Sequence, residues 1–424
     1  MYQKSLHFLP DGFDRDSYII ATYFIEVSPN EDIIKFSETL AVDMSTGTWT
    51  KVEGETEEMR EKYAGKVISA HEVPNYEFEL PEDLGCRRYV VSVAIPFENI
   101  GSEIPMLLTT VIGNTSVMGR IKLLDIEFPK KYLQGFSGPK FGIEGIRKLL
   151  GVKDRPLLNN MIKPCTGFEP KVGANFFYKA AAGGVDIIKD DELLSETAYN
   201  NRIERIKLYM EKERQAYETK GEKTLYCVNI TGKAGSLKKR AMEAIEAGAN
   251  ALMINYLTQG LSSFRDIAED KDINVPILAH LDFSGVWYAN PWGGVASHLV
   301  LGKLARIIGA DMMVYPIDSG KYKLLDERYR QIAYDLLADY HHIRRTFPIP
   351  SGGLVASRVP KIINDLGYDC ILSAGGGIHG HPMGAIAGAR AFRQAIDAVM
   401  SNTSLEEYAK DKKELREALK YWNK

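Results

Sequence analysis

Cysteine is scarce in this chain: Cys86, Cys165, Cys227 and Cys370 are spread over 424 residues with no CxxC pair among them. Free buried thiols in a reducing cytosol are therefore expected. No apolar run reaches the ~18 residues of a membrane-spanning helix. The opening MYQKSLHFLPDGF has neither a long apolar core nor a small-residue cleavage site, so no signal peptide is expected. Charge of one sign is lacking too. The 53 Lys and Arg against 56 Asp and Glu leave a net charge of −3, with no electrostatic footprint for nucleic acid. Also missing are a GxGxxG turn after a first strand, a Ser–His–Asp arrangement and zinc-like histidine spacing, internal repeats and low-complexity tracts. These absences leave a cytoplasmic globular chain with no nucleic-acid or membrane partner. Its 45% hydrophobic residues suffice for one large core or two.

What is present is a regular alternation. From about Leu157 onward eight short apolar runs occur: PLLNNMIKP, GGVDIIKDD, TLYCVNIT, NALMINYL, VPILAHLD, ADMMVYP, FPIPSGG and YDCILSAGGG. Helix-like stretches lie between them, among them Asn201–Thr219, Leu237–Ala247, Gly294–Ile308 and Asp326–Arg344. Eight strands, each followed by a helix, predict an α/β fold with a closed (β/α)8 TIM barrel. An open doubly wound sheet is the competitor, disfavoured by the strict alternation. Upstream, DSYIIATYFIEV, RYVVSVAIPF and PMLLTTVIG alternate apolar and polar residues as half-buried antiparallel strands do, and a charged helical stretch, Glu53–Gly65, separates two of them. The division expected is an N-terminal α+β (ferredoxin-like) domain over residues 1–134 and a catalytic barrel over 135–424, ending in a charged helical tail, Ser404–Lys424.

Functional groups of such a barrel gather at the carboxyl ends of its strands. Run two ends in Lys189-Asp190-Asp191-Glu192. On an extended backbone alternate side chains share a face, so Lys189 and Asp191 point one way. Oxygen ligands massed there suit a divalent ion such as Mg2+; the alternative is a solvated charge cluster. Run one ends in Lys163, run five in His280-Leu-Asp282, and run six leads into a short loop with Gly320 as a hinge and Lys321 able to reach inward. Each of these also has an uneventful reading, as a surface lysine, a structural histidine or a plain loop. Runs seven and eight end in Ser351-Gly352-Gly353 and Gly375-Gly376-Gly377. Glycines at those two positions let backbone N–H groups approach a phosphate, or simply make tight turns.

Taken together, these residues resemble the large subunit of RuBisCO over nearly the whole chain, and more closely the form IV RuBisCO-like proteins. GGVDIIKDDE is similar to that family's magnesium motif, whose lysine reacts with CO2. The resemblance implies a carbamate on Lys189, with Asp191 and Glu192 as the other protein ligands of Mg2+. Carbamylation turns a cation into an anionic oxygen ligand. Met161-Ile-Lys163-Pro resembles the strand-one motif that supplies a catalytic lysine, Gly320-Lys321 the mobile loop after strand six, and Ser351–Gly353 with Gly375-Gly376 the phosphate cradle. Ser45-Thr-Gly-Thr48-Trp49 and Ile112-Gly-Asn114 resemble segments that reach into the partner subunit's site. That implies a homodimer whose substrate also meets Thr48, Trp49 and Asn114. The roles implied give proton transfer to Lys163 or Lys321, and the far side of the metal to His280 and Asp282.

Departures from the family narrow the reaction. RuBisCO's second strand-one lysine falls at Cys165, the histidine and arginine after strand five at Asp282 and Phe283, and a further histidine at Val314. Losing the donors for a second phosphate leaves a buried dianion uncompensated, so ribulose-bisphosphate carboxylation is not expected, and a keto-sugar substrate with one phosphate is. The barrel is most similar to the methionine-salvage branch, which enolises 2,3-diketo-5-methylthiopentyl 1-phosphate. Those enolases carry their proton-abstracting lysine where this chain has Asn114, and an amide is no general base near neutral pH. The main expectation is therefore a lyase that decarboxylates 3-oxo-isoapionate 4-phosphate in carbohydrate breakdown. The salvage enolase and a 3-oxo-isoapionate-4-phosphate transcarboxylase/hydrolase are the enzymatic alternatives, and a metal-free binding relative is the non-enzymatic one.

Overall fold

The computed structural model describes residues 13–47, 50, 52–320 and 322–422. The chain divides into two compact units, Met1–Phe136 with Phe283–Val300, and Ser137–Asp282 with Leu301–Lys424.

In the first unit Tyr18–Val27 pairs antiparallel with Arg87–Pro96 on one side and Ile121–Glu127 on the other, and Lys66–Glu72 extends the sheet beyond Arg87–Pro96. Period-two burial drives this pairing: Ile19, Ala21, Tyr23 and Ile25 are fully buried. The helix Ile33–Asp43, capped by Asp32 through the N–H groups of Ile34 and Lys35, and the helix Glu57–Tyr63 connect the first two strands. The order is that of a ferredoxin-like unit. A two-residue strand, Gly294–Val295, adds a parallel edge to Ile121–Glu127.

Two expectations fail here. PMLLTTVIG is not a strand but the helix Ile104–Leu108 continued by a π-turn over Thr109–Gly113. Its β-branched run suggested a strand, yet the buried residues, Ile104, Leu107 and Val111, follow helical spacing, and Pro105 sits in the first turn. The stretch Gly294–Ile308 is not one helix either. It begins as the short strand above and becomes helical only from Ser297, with a π-helical segment over Leu299–Leu304.

The second unit holds eight parallel strands closed into a barrel: Leu157–Met161, Ile187–Lys189, Leu225–Asn229, Ala251–Ile254, Ile277–Ala279, Met312–Pro316, Phe347–Ser351 and Ile371–Ala374. All eight expected runs supply one strand each. The interior is filled by alternate residues such as Leu157, Ile187, Met253, Leu278, Ile349 and Ile371. The helix Gly142–Leu150 adds Ile143, Ile146 and Leu150 to that cluster. Asp311, just before strand six, accepts the N–H groups of Phe141 and Gly142, and Arg345, just before strand seven, accepts that of Ile143. This helix therefore closes the amino end of the barrel and leaves the carboxyl end for chemistry. Side-chain parity then puts Lys189, two residues past Ile187, and His280, two past Leu278, on the interior face. Among the described residues no helix is long and apolar enough to cross a membrane.

Candidate active site

Strand two ends at Lys189, and the chain turns at once. The Asp191 side chain accepts the N–H of Leu193 at 3.1 Å, and its carbonyl accepts that of Leu194 at 3.0 Å. This Asx-type turn brings Glu192 back to Lys189, whose Nζ donates to Glu192 Oε2 at 2.9 Å and to the Asp190 carbonyl at 3.0 Å. Lys189 is fully buried. Lys189 and Asp191 share the inward side, as extended-chain parity predicts, with Asp190 turned away between them, but their partners differ: the turn after Lys189 gives it an i,i+3 contact with Glu192. Asp191 meets strand one instead: Lys163 Nζ donates to its Oδ2 at 2.6 Å and to Cys165 Sγ at 2.9 Å. Strand five supplies the last members. His280 Nε2 lies 3.4 Å from Glu192 Oε2, and His280 Nδ1 lies 3.0 Å from Asp282 Oδ2.

Opposite charges at this range set the protonation states. Burial penalises the Glu192 carboxylate, but Lys189 and His280 outweigh it and hold the carboxyl down at about 2. Burial likewise disfavours the Lys163 cation. Its bonds to Asp191 and Cys165 overcome that and push the ammonium up to about 12. His379, on the glycine-rich turn after strand eight, donates from Nε2 at 3.0 Å to Asn160 Oδ1 of strand one. Burial, then Lys163 and Lys179, drive it down to about 4, so it is neutral at pH 7.

The glycine-rich ends stand beside this cluster. A side-chain carbon on Gly375 would lie 3.2 Å from Lys163 Cε and 3.4 Å from the Met161 carbonyl, so the backbone of that turn packs against the lysine. Gly376 has open space around it and begins the short helical turn Gly376–His379. Ser351, at the end of strand seven, points its hydroxyl at Met161 Sδ, and Gly352 and Gly353 follow with φ of 112° and 85°. Gly320, also at positive φ, approaches the Gly352 carbonyl so closely that a side-chain carbon there would stand 2.0 Å from it. Lys321, Thr48 and Trp49 lie outside the described residues. Asn114 is in the first unit, exposed at the start of the turn Asn114–Val117.

Sequence reasoning missed what holds the acid loop from behind. Asp190 is turned away from Lys189 into a buried pair with Arg205. Asn229 and Asn255 each donate to the Glu192 carbonyl at 3.2 Å. The signal available was the alternation itself: an acid between two inward-facing residues must find a partner outside the barrel.

Among the described residues no three His, Cys, Asp or Glu side chains converge as a metal site. The donor set nonetheless fits one if Lys189 becomes an oxygen ligand. As it stands, the ammonium groups of Lys163 and Lys189 balance the carboxylates of Asp191 and Glu192. A carbamate on Lys189 would turn that balance into an excess of two negative charges, which a divalent cation neutralises.

Comparison with known proteins agrees with this geometry. Residues 10–132 match the model of the ribulose bisphosphate carboxylase large chain, N-terminal domain, and residues 142–422 that of its catalytic domain. The chain belongs to the RuBisCO large-chain family. Within this family it is 49% identical to a ribulose bisphosphate carboxylase-like protein of Archaeoglobus fulgidus, over 97% of this chain and 94% of that one. It is 39% identical to a 2,3-diketo-5-methylthiopentyl-1-phosphate enolase of Geobacillus thermodenitrificans, over 96% and 98%. The crystal structure of a RuBisCO-like protein (MtnW) from Alicyclobacillus acidocaldarius superposes with a TM-score of 0.89 at 37% identity, covering 96% of this chain and all of that one. The chain is thus a form IV RuBisCO-like protein. Of the positions that sequence reading set apart from RuBisCO, Cys165 touches Lys163 and Asp282 holds His280, whereas Val314 is packed into the barrel core.

Proposed function

We propose that this RuBisCO-like protein is a Mg2+-dependent enzyme that enolises a phosphorylated keto substrate, with 2,3-diketo-5-methylthiopentyl 1-phosphate as the first substrate to test. The observation that carries the reading is the pair of lysine–carboxylate contacts, Lys189–Glu192 and Lys163–Asp191, at one strand-end rim beside the glycine turns. Lys189 as a carbamate, Asp191 and Glu192 would hold the metal, which supplies Lewis-acid stabilisation of an enolate. Gly352, Gly353, Gly375 and Gly376 offer backbone N–H groups to the single phosphate, with Ser351 beside them. Thr48, Trp49 and Asn114 would complete the substrate site from the partner subunit of a homodimer. Lys163, held as an ammonium by Asp191, delivers a proton at carbon as it stands, and accepts one only after Asp191 lets it go. Lys321 is the second candidate for that task. His280 is oriented by Asp282 and buttresses Glu192.

The named relatives favour enolisation over the decarboxylation that the sequence alone suggested. Decarboxylation of 3-oxo-isoapionate 4-phosphate stays as the second reading on one observation. Asn114 is an amide where those enolases resemble one another in a lysine, and loss of CO2 needs no base at carbon. Ribulose bisphosphate is disfavoured under either reading: by the resemblance to RuBisCO, the donors for a second phosphate fall at Phe283 and Val314, both apolar. The test is a parallel assay with Mg2+ and bicarbonate. Enol formation from the diketo phosphate supports the first reading, and CO2 release from the β-keto acid alone supports the second. Turnover of neither would remove both.

A further inference from the structure

We infer that Asp190 and Arg205 are positioning residues for the loop that presents the metal ligands, an inference that rests on the metal reading above. Asp190 sits between Lys189 and Asp191 in sequence but faces the other way, and both it and Arg205 are 0% exposed. Its carboxylate is fully engaged. Oδ2 accepts from Arg205 Nη2 and from the N–H of Asn229, both at 3.0 Å, and Oδ1 accepts from the Tyr226 hydroxyl at 2.7 Å. Arg205 Nε donates to the same hydroxyl at 3.1 Å, and its Nη1 donates to Asn200, whose amide reaches the Phe168 carbonyl at 2.9 Å. The Asp190 N–H closes the set on the Cys227 carbonyl at 3.0 Å.

A buried ion pair is seldom worth more than well-packed apolar residues of the same volume, so its use here calls for a role other than stability. The geometry points to one. The side chains of Asp191 and Glu192 are held in this state by Lys163 and Lys189. Those are the contacts that must change when Lys189 goes from cation to anion. The backbone of the loop therefore needs an anchor that does not involve either lysine. It has one on each side of Asp191: the Asp190 carboxylate before it, and after it the Glu192 carbonyl, which accepts from Asn229 and Asn255. With both anchors in place the acids can exchange partners while their Cα positions stay fixed, so a metal binds a preformed set rather than paying to order the loop.

The test uses the full chain in three forms: native, Asp190→Asn, which keeps the shape but loses the charge, and Tyr226→Phe, which removes the two hydrogen bonds of that hydroxyl but keeps the ion pair. Mg2+ affinity is measured by titration in bicarbonate, and amide hydrogen exchange is measured without metal. Asp190→Asn is expected to weaken Mg2+ binding about 10- to 100-fold, and to speed exchange at residues 190–194 selectively, with Tyr226→Phe in between. Adding Arg205→Met to Asp190→Asn should cost little more, since the two act as one unit. Native-like Mg2+ affinity in Asp190→Asn would overturn the inference, as would faster exchange spread evenly over the barrel strands, which marks lost global stability alone. If the native chain binds no Mg2+ in bicarbonate, the metal reading itself falls, an outcome distinct from native binding with an unaffected variant.

Discussion

Glu192→Gln isolates the charge of one proposed ligand in the state without metal. Glu192 is three-quarters buried by side chain and lies 2.9 Å from Lys189 Nζ. Glutamine keeps the volume and an acceptor oxygen, so the variant removes mainly the charge. The carboxyl falls from its ordinary 4.5 to about 2, and at 1.36 kcal/mol per unit this corresponds to roughly 3 kcal/mol of native-state stability. The folded value lies below the unfolded one. The contribution is therefore complete above about pH 4.5 and is lost as pH falls toward 2. Urea unfolding in magnesium-free, CO2-depleted buffer should put Glu192→Gln about 3 kcal/mol below native at pH 7 and only about 1.4 kcal/mol below at pH 3, where Glu192 is almost fully protonated in the unfolded chain and mostly ionised in the folded one. A gap under about 0.5 kcal/mol at pH 7, or one that does not shrink on acidification, would refute the electrostatic account of the Lys189–Glu192 pair.

Lys163→Ala should lower kcat by about 10²- to 10⁴-fold, the usual worth of a proton-transfer group, while the substrate dissociation constant changes only a few-fold; turnover equal to native would take Lys163 out of the mechanism. In Gly375→Ala the new methyl would meet Lys163 Cε at 3.2 Å, so kcat should fall roughly tenfold through displacement of the lysine, with little change in Tm. An unchanged kcat would place the phosphate turn away from the proton-transfer group. Asn114→Lys separates the two substrate readings: a gain in diketo-phosphate enolisation is expected if a base at carbon limits the native rate, and a variant indifferent on that substrate would count for decarboxylation.

The barrel was legible because each of its strands is a short apolar run bounded by turn residues, and its alternation with helices left one competing topology. The small domain was less so. PMLLTTVIG has strand composition and helical burial, and only the packing of Ile104, Leu107 and Val111 decides between them. The strands Lys66–Glu72 and Ile121–Glu127 escaped notice because KVISAHE and IKLLDIE are short and mixed in polarity, with burial that comes from pairing rather than pattern. At the site, residue types and order were readable, but partnerships were not. Extended-chain parity put Lys189 and Asp191 on one face but could not give their partners: the turn after Lys189 sends Glu192 to Lys189, and Asp191 meets Lys163. Partners past a strand end depend on where the strand stops, which sequence fixes only to within a residue or two.

That rearrangement bears on how the site changes state. With both lysines cationic, the rim is neutral and each acid is occupied, so a divalent ion would have to displace an ammonium from each carboxylate. Under the proposed reading, carbamylation of Lys189 would remove one of those competitors and supply an anionic oxygen ligand, and repulsion from the new anion would favour Glu192 turning toward a metal. Lys163 is the counterion of Asp191; under the proposed reading a bound metal would take over that role, and the amine could then accept a proton as well as deliver one. On that reading, metal loading and release of the proton-transfer group would be coupled through one carboxylate. In a Glu192→Gln background, Lys163 should keep its partner and its elevated protonation range, since Asp191 is untouched. In Asp191→Asn, Lys163 should titrate lower, because burial would then act unopposed by its main partner. Measuring the Lys163 titration by NMR in these two variants decides the point: a value that falls equally in both would dissolve the link between Asp191 and Lys163.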